Sequence, residues 1–276
     1  MSHTWKSDEP PLTIPTSPLN WVLIVLRGVP ILILFLTLSL LLVLGRLIEA
    51  PLFGLKRPVT PYLTQGTAYL TFLLLGMRFR TRGTPMRQHG AVVANHASWM
   101  DIITLSARQQ IFFVAKTEVA DWPGIGWLAR ATGTLFIMRD RREAAAQKLM
   151  FESRLKTGHK LLFFPEGTST DSQRVLEFKP TLFAAFFDEA LKDDIWVQPV
   201  SVMYTAPKGQ DPRFYGWWGG MNFGQHVLKV LGAWPQGGVE VVYHPPLAVR
   251  DFADRKAIAK VAEHMVRDPV TANLGK

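Results

Sequence analysis

Apolar and polar positions divide this chain into three stretches. Residues 1 to 20 are polar and carry Pro10, Pro11, Pro15 and Pro18, which oppose regular helix and predict a flexible N-terminal tail. The sequence then turns apolar, and Val29 to Leu44 carries no charge. With Trp21 to Leu26 included and Arg27 snorkelling, the run is long enough to enter a bilayer, either as one spanning helix or as a re-entrant one bent at Gly28-Val29-Pro30. The polar leader is too long for a cleaved signal peptide. A second apolar stretch, Tyr62 to Met77, is predicted to lie on the membrane or to open the folded domain. Residues 21 to 77 therefore read as a membrane-anchoring helical region, and residues 78 to 276 as one domain.

Within that domain short apolar runs alternate with helical periodicity. Strands are predicted at 77 to 81, 91 to 94, 111 to 115, 134 to 138, 160 to 164, 196 to 204 and 239 to 243. Helices are predicted at 101 to 107, 125 to 131, 141 to 155, 180 to 191, 223 to 231 and 252 to 266. Such alternation indicates an α/β fold, with a mixed, mostly parallel sheet flanked by helices and the membrane-embedded helical segment at its N-terminus.

The formal net charge of +9 admits anionic partners. Arg78, Arg80, Arg82 and Arg87 form one basic cluster, and a second runs from Arg139 to Lys160. Neither resembles a nucleic-acid module, whereas basic residues beside an apolar anchor suit anionic lipid headgroups. Arg46, Lys56 and Arg57 follow the apolar run, while Lys6 before it is offset by Asp8 and Glu9, so the domain is expected on the cytoplasmic face of an inner membrane. The absence of cysteine excludes thiolate nucleophiles, disulfides and Cys-ligated metals, and none of the seven histidines is paired at a metal-binding spacing. No metal is expected.

Two strand ends carry the chemistry. The first is Asn95-His96-Ala97-Ser98-Trp99-Met100-Asp101, where a carboxylate five residues after a histidine can fix the imidazole tautomer and leave the other ring nitrogen as a base. The same stretch also reads as a helix capping box with Ser98 as N-cap. The second is Leu161-Leu162-Phe163-Phe164, a central strand that stops at Pro165-Glu166-Gly167-Thr168-Ser169-Thr170. Two polar clusters at strand ends point to one shared site.

These residues carry a family resemblance. The His96 to Asp101 spacing resembles the His-x-x-x-x-Asp motif of lysophospholipid and glycerolipid acyltransferases, and Phe164-Pro165-Glu166-Gly167-Thr168 resembles their Glu-Gly-Thr motif. Gly133-Thr134-Leu135-Phe136-Ile137-Met138-Arg139 and Val197-Gln198-Pro199-Val200 are similar to the two further blocks, so the match covers residues 90 to 205 in the family's order. The resemblance implies an acyltransferase catalytic domain over residues 78 to 276, with an acyl carrier protein or coenzyme A thioester as co-substrate and no bound cofactor. It implies membrane lipids as partners and a lysolipid hydroxyl as acceptor, with His96 as base and Asp101 as its orienter. It also associates Arg139, Glu166, Gly167 and Thr168 with acceptor binding and site integrity.

One departure bears on the acceptor. Relatives that take lysophosphatidic acid commonly have Arg after Glu-Gly-Thr, a partner suited to a phosphate monoester. Here Ser169 stands there, followed by Thr170 and Asp171. With Tyr215-Gly216-Trp217-Trp218-Gly219, this run resembles the branch that O-acylates lyso-aminolipids of the lyso-ornithine type. On that resemblance Asp171 is expected to meet an ammonium. The alternative acceptor is 1-acyl-sn-glycerol-3-phosphate.

Overall fold

The computed structural model describes residues 4–7, 17–138 and 144–274. Its sheet contains β1 (Arg78–Arg82), β2 (Gly90–Ala94), β3 (Phe112–Lys116), β4 (Leu135–Ile137), β5 (Leu161–Phe163), β6 (Trp196–Thr205), β7 (Gly238–Tyr243) and β8 (Leu247–Ala248). The order is β1-β7-β6-β2-β5-β3-β4, with β8 beside β6. From β6 through β4 every pairing on this path is parallel, and β7 turns the sheet antiparallel. β2 is buried at every position because both of its faces are covered, which is why its sequence is a continuous apolar run.

Pro199 sits inside β6, where proline ordinarily breaks a ladder. Trp196 and Val197 pair with β8, and Val200 to Thr205 pair with β7, so the missing N–H falls where the strand changes neighbour.

Helices α1 (Pro18–Phe53), α2 (Thr60–Leu75), α3 (Met100–Ser106), α4 (Ile125–Thr132), α5 (Ala144–Lys156), α6 (Phe223–Gly232) and α7 (Arg255–Asn273) complete the fold. One core joins Phe72 of α2, Met100 of α3 and Val230 of α6 to Val92 and Ala94 of the sheet. The other joins Leu155 of α5 and Ile258 and Val266 of α7 to Ala91 and Val93. The alternation along β2 thus feeds two layers. The stretch predicted as helix at 180 to 191 is a 3-10 helix over Pro180–Phe187. Three residues per turn brings Phe183 and Phe186 onto one face, where both are buried against Phe163.

Of the two forms expected for the apolar run, the unbent helix is the one present. α1 is one unbroken helix with Pro30 inside it, and the chain turns instead at Gly54, whose φ is 60°. A proline costs the helix one hydrogen bond, which the remaining ladder tolerates in an apolar setting. The helix is long and apolar enough to cross a membrane, and Leu26, Leu36, Leu47 and Leu52 face outward.

Near its start α1 is fastened to the domain. Asn20 donates to Gly232 O at 2.7 Å, and the buried Arg27 guanidinium donates to Leu231 O at 2.8 Å and Ala233 O at 2.6 Å. Near its end, Glu49 accepts the N–H groups of Val59 and Thr60 and the Thr60 hydroxyl, capping α2 from outside. α2 is both a core helix and an exposed one: Phe72 and Leu75 are buried, while Tyr62, Leu70 and Leu73 are bare.

Candidate active site

β2 and β5 are parallel neighbours with Val93 opposite Phe163, so both strands release their polar loops at the same edge. Asn95 holds the exit of β2, donating to Val202 O at 2.9 Å and accepting the Val202 N–H at 2.8 Å. The His96 ring then stacks on Phe164, with centroids 4.0 Å apart and planes within 11°.

Asp101 reaches His96 Nδ1 at 2.7 Å from the first turn of α3. The same carboxylate oxygen accepts the N–H groups of Ala97 and Ser98 at 2.8 and 3.0 Å, and the other accepts the Tyr204 hydroxyl at 2.8 Å. An ionised carboxylate only accepts, so the imidazole carries its proton on Nδ1 and leaves Nε2 as the open, basic nitrogen. Asp101 is wholly buried, whereas the His96 side chain keeps 21% of its surface exposed. The ring is thus fixed in place and keeps access to solvent.

Only half of the capping box forms. Ser98 Oγ has no partner, and the Asp101 N–H donates to Ser98 O instead. The half that forms is the one in which Asp101 accepts the Ser98 N–H at 3.0 Å, with the same oxygen that holds His96.

Glu166 joins the second loop to the first. Its two oxygens accept the N–H of His96 at 2.6 Å and of Leu176 at 2.7 Å. Burial pushes this carboxyl up to about 8, against the pull of those two donors. Gly167 has a φ of 71°, and a Cβ there would stand 2.9 Å from Lys179 Nζ. The Thr168 hydroxyl accepts the N–H of Trp5 at 3.1 Å. Thr170 donates its N–H to His96 O at 2.9 Å, and Ser169 beside it is buried. Arg139 lies outside the described residues.

Asp171 is paired within its own loop. Its carboxylate is 2% exposed and holds Arg174, accepting from Nε at 3.1 Å and from Nη2 at 2.8 Å. The contact expected with an ammonium is already filled by a guanidinium three residues on.

Several participants escaped the sequence reading. Trp5, in the stretch expected to be flexible, lies beside Trp218 and under the Arg174 guanidinium. With Glu166, Thr168 and Lys179 it lines a cavity of about 550 Å³. Trp217 donates its N–H to Ala97 O, and Gly216 lets that loop close: a Cβ there would lie 2.7 Å from the Asp171 carbonyl. Trp99 Nε1 donates to His226 Nδ1 at 2.9 Å, and His226 Nε2 donates to Gly216 O at 2.8 Å. Burial and the nearby Lys229 push His226 down to about 3.

Comparison with known proteins places these features. A family model described as Acyltransferase matches residues 78–203. The chain is 54% identical over 95% of both sequences to a lyso-ornithine lipid O-acyltransferase from Rhodobacter capsulatus. It is 38% identical to one from Brucella abortus, over 70% of this chain and 76% of that one. Its fold is similar to the crystal structure of PlsC, the 1-acyl-sn-glycerophosphate acyltransferase of Thermotoga maritima, with a TM-score of 0.58 and 22% identity, over 91% of this chain and 98% of that one.

Proposed function

This chain belongs to the acyltransferase family, and from that premise we propose that it moves a fatty acyl group from an acyl thioester to the hydroxyl of a lyso-aminolipid of the lyso-ornithine type. The name of the R. capsulatus relative supports the acceptor. The His96 Nδ1 to Asp101 contact of 2.7 Å, which leaves Nε2 open, carries the chemistry.

In this reading Nε2 takes the acceptor's hydroxyl proton as the oxygen bonds to the thioester carbonyl carbon. Asp101 stabilises the imidazolium so formed. When the tetrahedral intermediate collapses the carbon–sulfur bond breaks, and the departing thiolate recovers the proton from Nε2. No acyl-enzyme is needed. Glu166 holds the His96 backbone in place, Gly167 gives the loop its turn, and Thr168, Ser169 and Arg139 serve the acceptor. Asp171 acts through Arg174. The donor is carried by acyl carrier protein or coenzyme A, and Arg46, Lys56 and Arg57 support a cytoplasmic orientation at the inner membrane.

The test is an acceptor competition with the purified full-length protein, offering lyso-ornithine lipid and lysophosphatidic acid together with one acyl thioester. Ornithine lipid is the expected main product. Preferential formation of phosphatidic acid would overturn the acceptor, and unchanged turnover in His96→Ala would overturn the chemistry.

A further inference from the structure

A second cavity lies at the other edge of the sheet from His96. It occupies about 730 Å³ between the turn that joins α1 to α2 and the starting ends of β3 and β5. Because β2 and β5 run parallel, a strand's length of roughly 13 Å separates this edge from the one that carries His96. The two sites do not share residues.

Its lining is strongly basic. Lys56, Arg57, Arg108 and Lys160 face the cavity, and no Asp or Glu lines it. None of the four has a carboxylate partner among the described residues. Glu49, the acid nearest the turn, is committed to Val59, Thr60 and Arg46.

The cations are also held in place. Arg57 donates to Ala131 O at 2.6 Å, Lys160 donates to Met86 O at 2.5 Å, and Arg108 lies over the Phe79 ring at 4.9 Å. Like charges crowd here: burial and then Arg46 bring Arg57 down to about 10, and burial with Arg57 and Arg46 does the same to Arg154 behind it. An anion would relieve that repulsion.

A second, independent feature points to a ligand. Gln109 lines the cavity and is 6% exposed, yet both of its amide atoms are buried without a partner. Folded proteins rarely leave a buried amide unpaired, because the lost hydrogen bonds to water are not replaced. It offers a donor and an acceptor to a polar, hydroxylated guest.

The surroundings identify the source of the anion. Leu52, Phe53, Leu55 and Val59 flank the turn, and all are exposed. A basic cavity bordered by bare apolar side chains matches the chemistry found at the depth of lipid headgroups. We propose that it binds the headgroup of an anionic phospholipid, with Arg57, Arg108 and Lys160 on the phosphate and Gln109 on the glycerol hydroxyls, apart from the acyl-transfer site.

Full-length protein in neutral detergent, titrated with short-chain phosphatidylglycerol, short-chain phosphatidylcholine and inorganic phosphate in parallel, tests this by calorimetry. Saturable binding of phosphatidylglycerol, at least about tenfold tighter than of the other two probes, is expected. Arg108→Gln and Gln109→Leu should each weaken it by about tenfold while turnover of a soluble acceptor is unchanged. Arg108 is exposed and Gln109 is unpaired, so neither change removes a hydrogen bond from the fold. Equal affinity for the two lipids would overturn the proposal, as would unaltered phosphatidylglycerol binding in both variants. Phosphate binding as tightly as the lipid would assign the site to a free anion instead, and binding of acidic acyl carrier protein alone would make it a donor dock.

Discussion

Glu166 accepts the backbone N–H of His96 at 2.6 Å, so two motifs seventy residues apart share one hydrogen bond directly at the imidazole-bearing residue. Glu166→Gln keeps the shape but places an amide NH2 against one of two N–H donors. One buried donor is then left unpaired, at a cost of about 1–3 kcal/mol. A lowered melting temperature, with turnover reduced more than acceptor affinity, is the expected outcome. A variant with wild-type stability would show that the carboxyl is dispensable to the loop.

Removing the base itself should act differently. His96→Ala deletes a partly exposed ring and should leave the fold intact while lowering turnover by about 100-fold to 10,000-fold. Asp101→Asn should lower both turnover and melting temperature, because the carboxylate also accepts from Ala97, Ser98 and Tyr204. Steady-state rates beside thermal unfolding separate the two effects.

His226 makes stability depend on pH. Trp99 donates to its Nδ1, so the folded ring is neutral, and its value near 3 lies below the ordinary 6.5. Between those values the unfolded chain binds a proton that the folded one refuses. The contribution is therefore complete above about pH 6.5 and is lost as pH falls, by up to about 1.4 kcal/mol per unit. Denaturant unfolding at pH 5 and pH 7 should show a smaller difference in His226→Gln than in the wild type.

Asp171→Asn tests the loop beside the acceptor. Since the carboxylate braces Arg174, its loss should depress activity toward lyso-ornithine lipid and lysophosphatidic acid alike and lower the melting temperature. Selective loss of the aminolipid in side-by-side assays would show instead that Asp171 reads an amine.

The central strands were legible because a strand covered on both faces becomes an uninterrupted apolar run, as Gly90–Ala94 does, whereas β1 is mostly exposed and alternates arginine with other residues. β8, two residues long, is below any periodicity. The His96 and Asp101 pair was legible because both sit within one turn of chain. Tyr204 and Trp5 were not, since their partners lie 103 and 163 residues away and only the packed sheet brings them together. The Asp171 pairing was hidden for a related reason: Arg174 was visible three residues on, but the loop conformation that folds it back leaves no mark in composition. Ser98 looked like a cap because the spacing was right, and Asp101 does accept its N–H, but the Ser98 hydroxyl returns no bond.

The guanidinium of Arg27 has a practical consequence for handling the enzyme. A chain cut after residue 50 would not be a water-soluble edition of the same catalyst. It would strip the donor from the carbonyls of Leu231 and Ala233, leave α2 without its Glu49 cap, and bare the side of α6 that Ile24 covers. Since α6 also carries His226, and His226 holds Trp99, the damage would reach the loop after His96. Extraction should therefore replace the lipid around the first helix with an amphiphile and leave that helix seated, because its inner face is as much a part of the folded enzyme as the sheet.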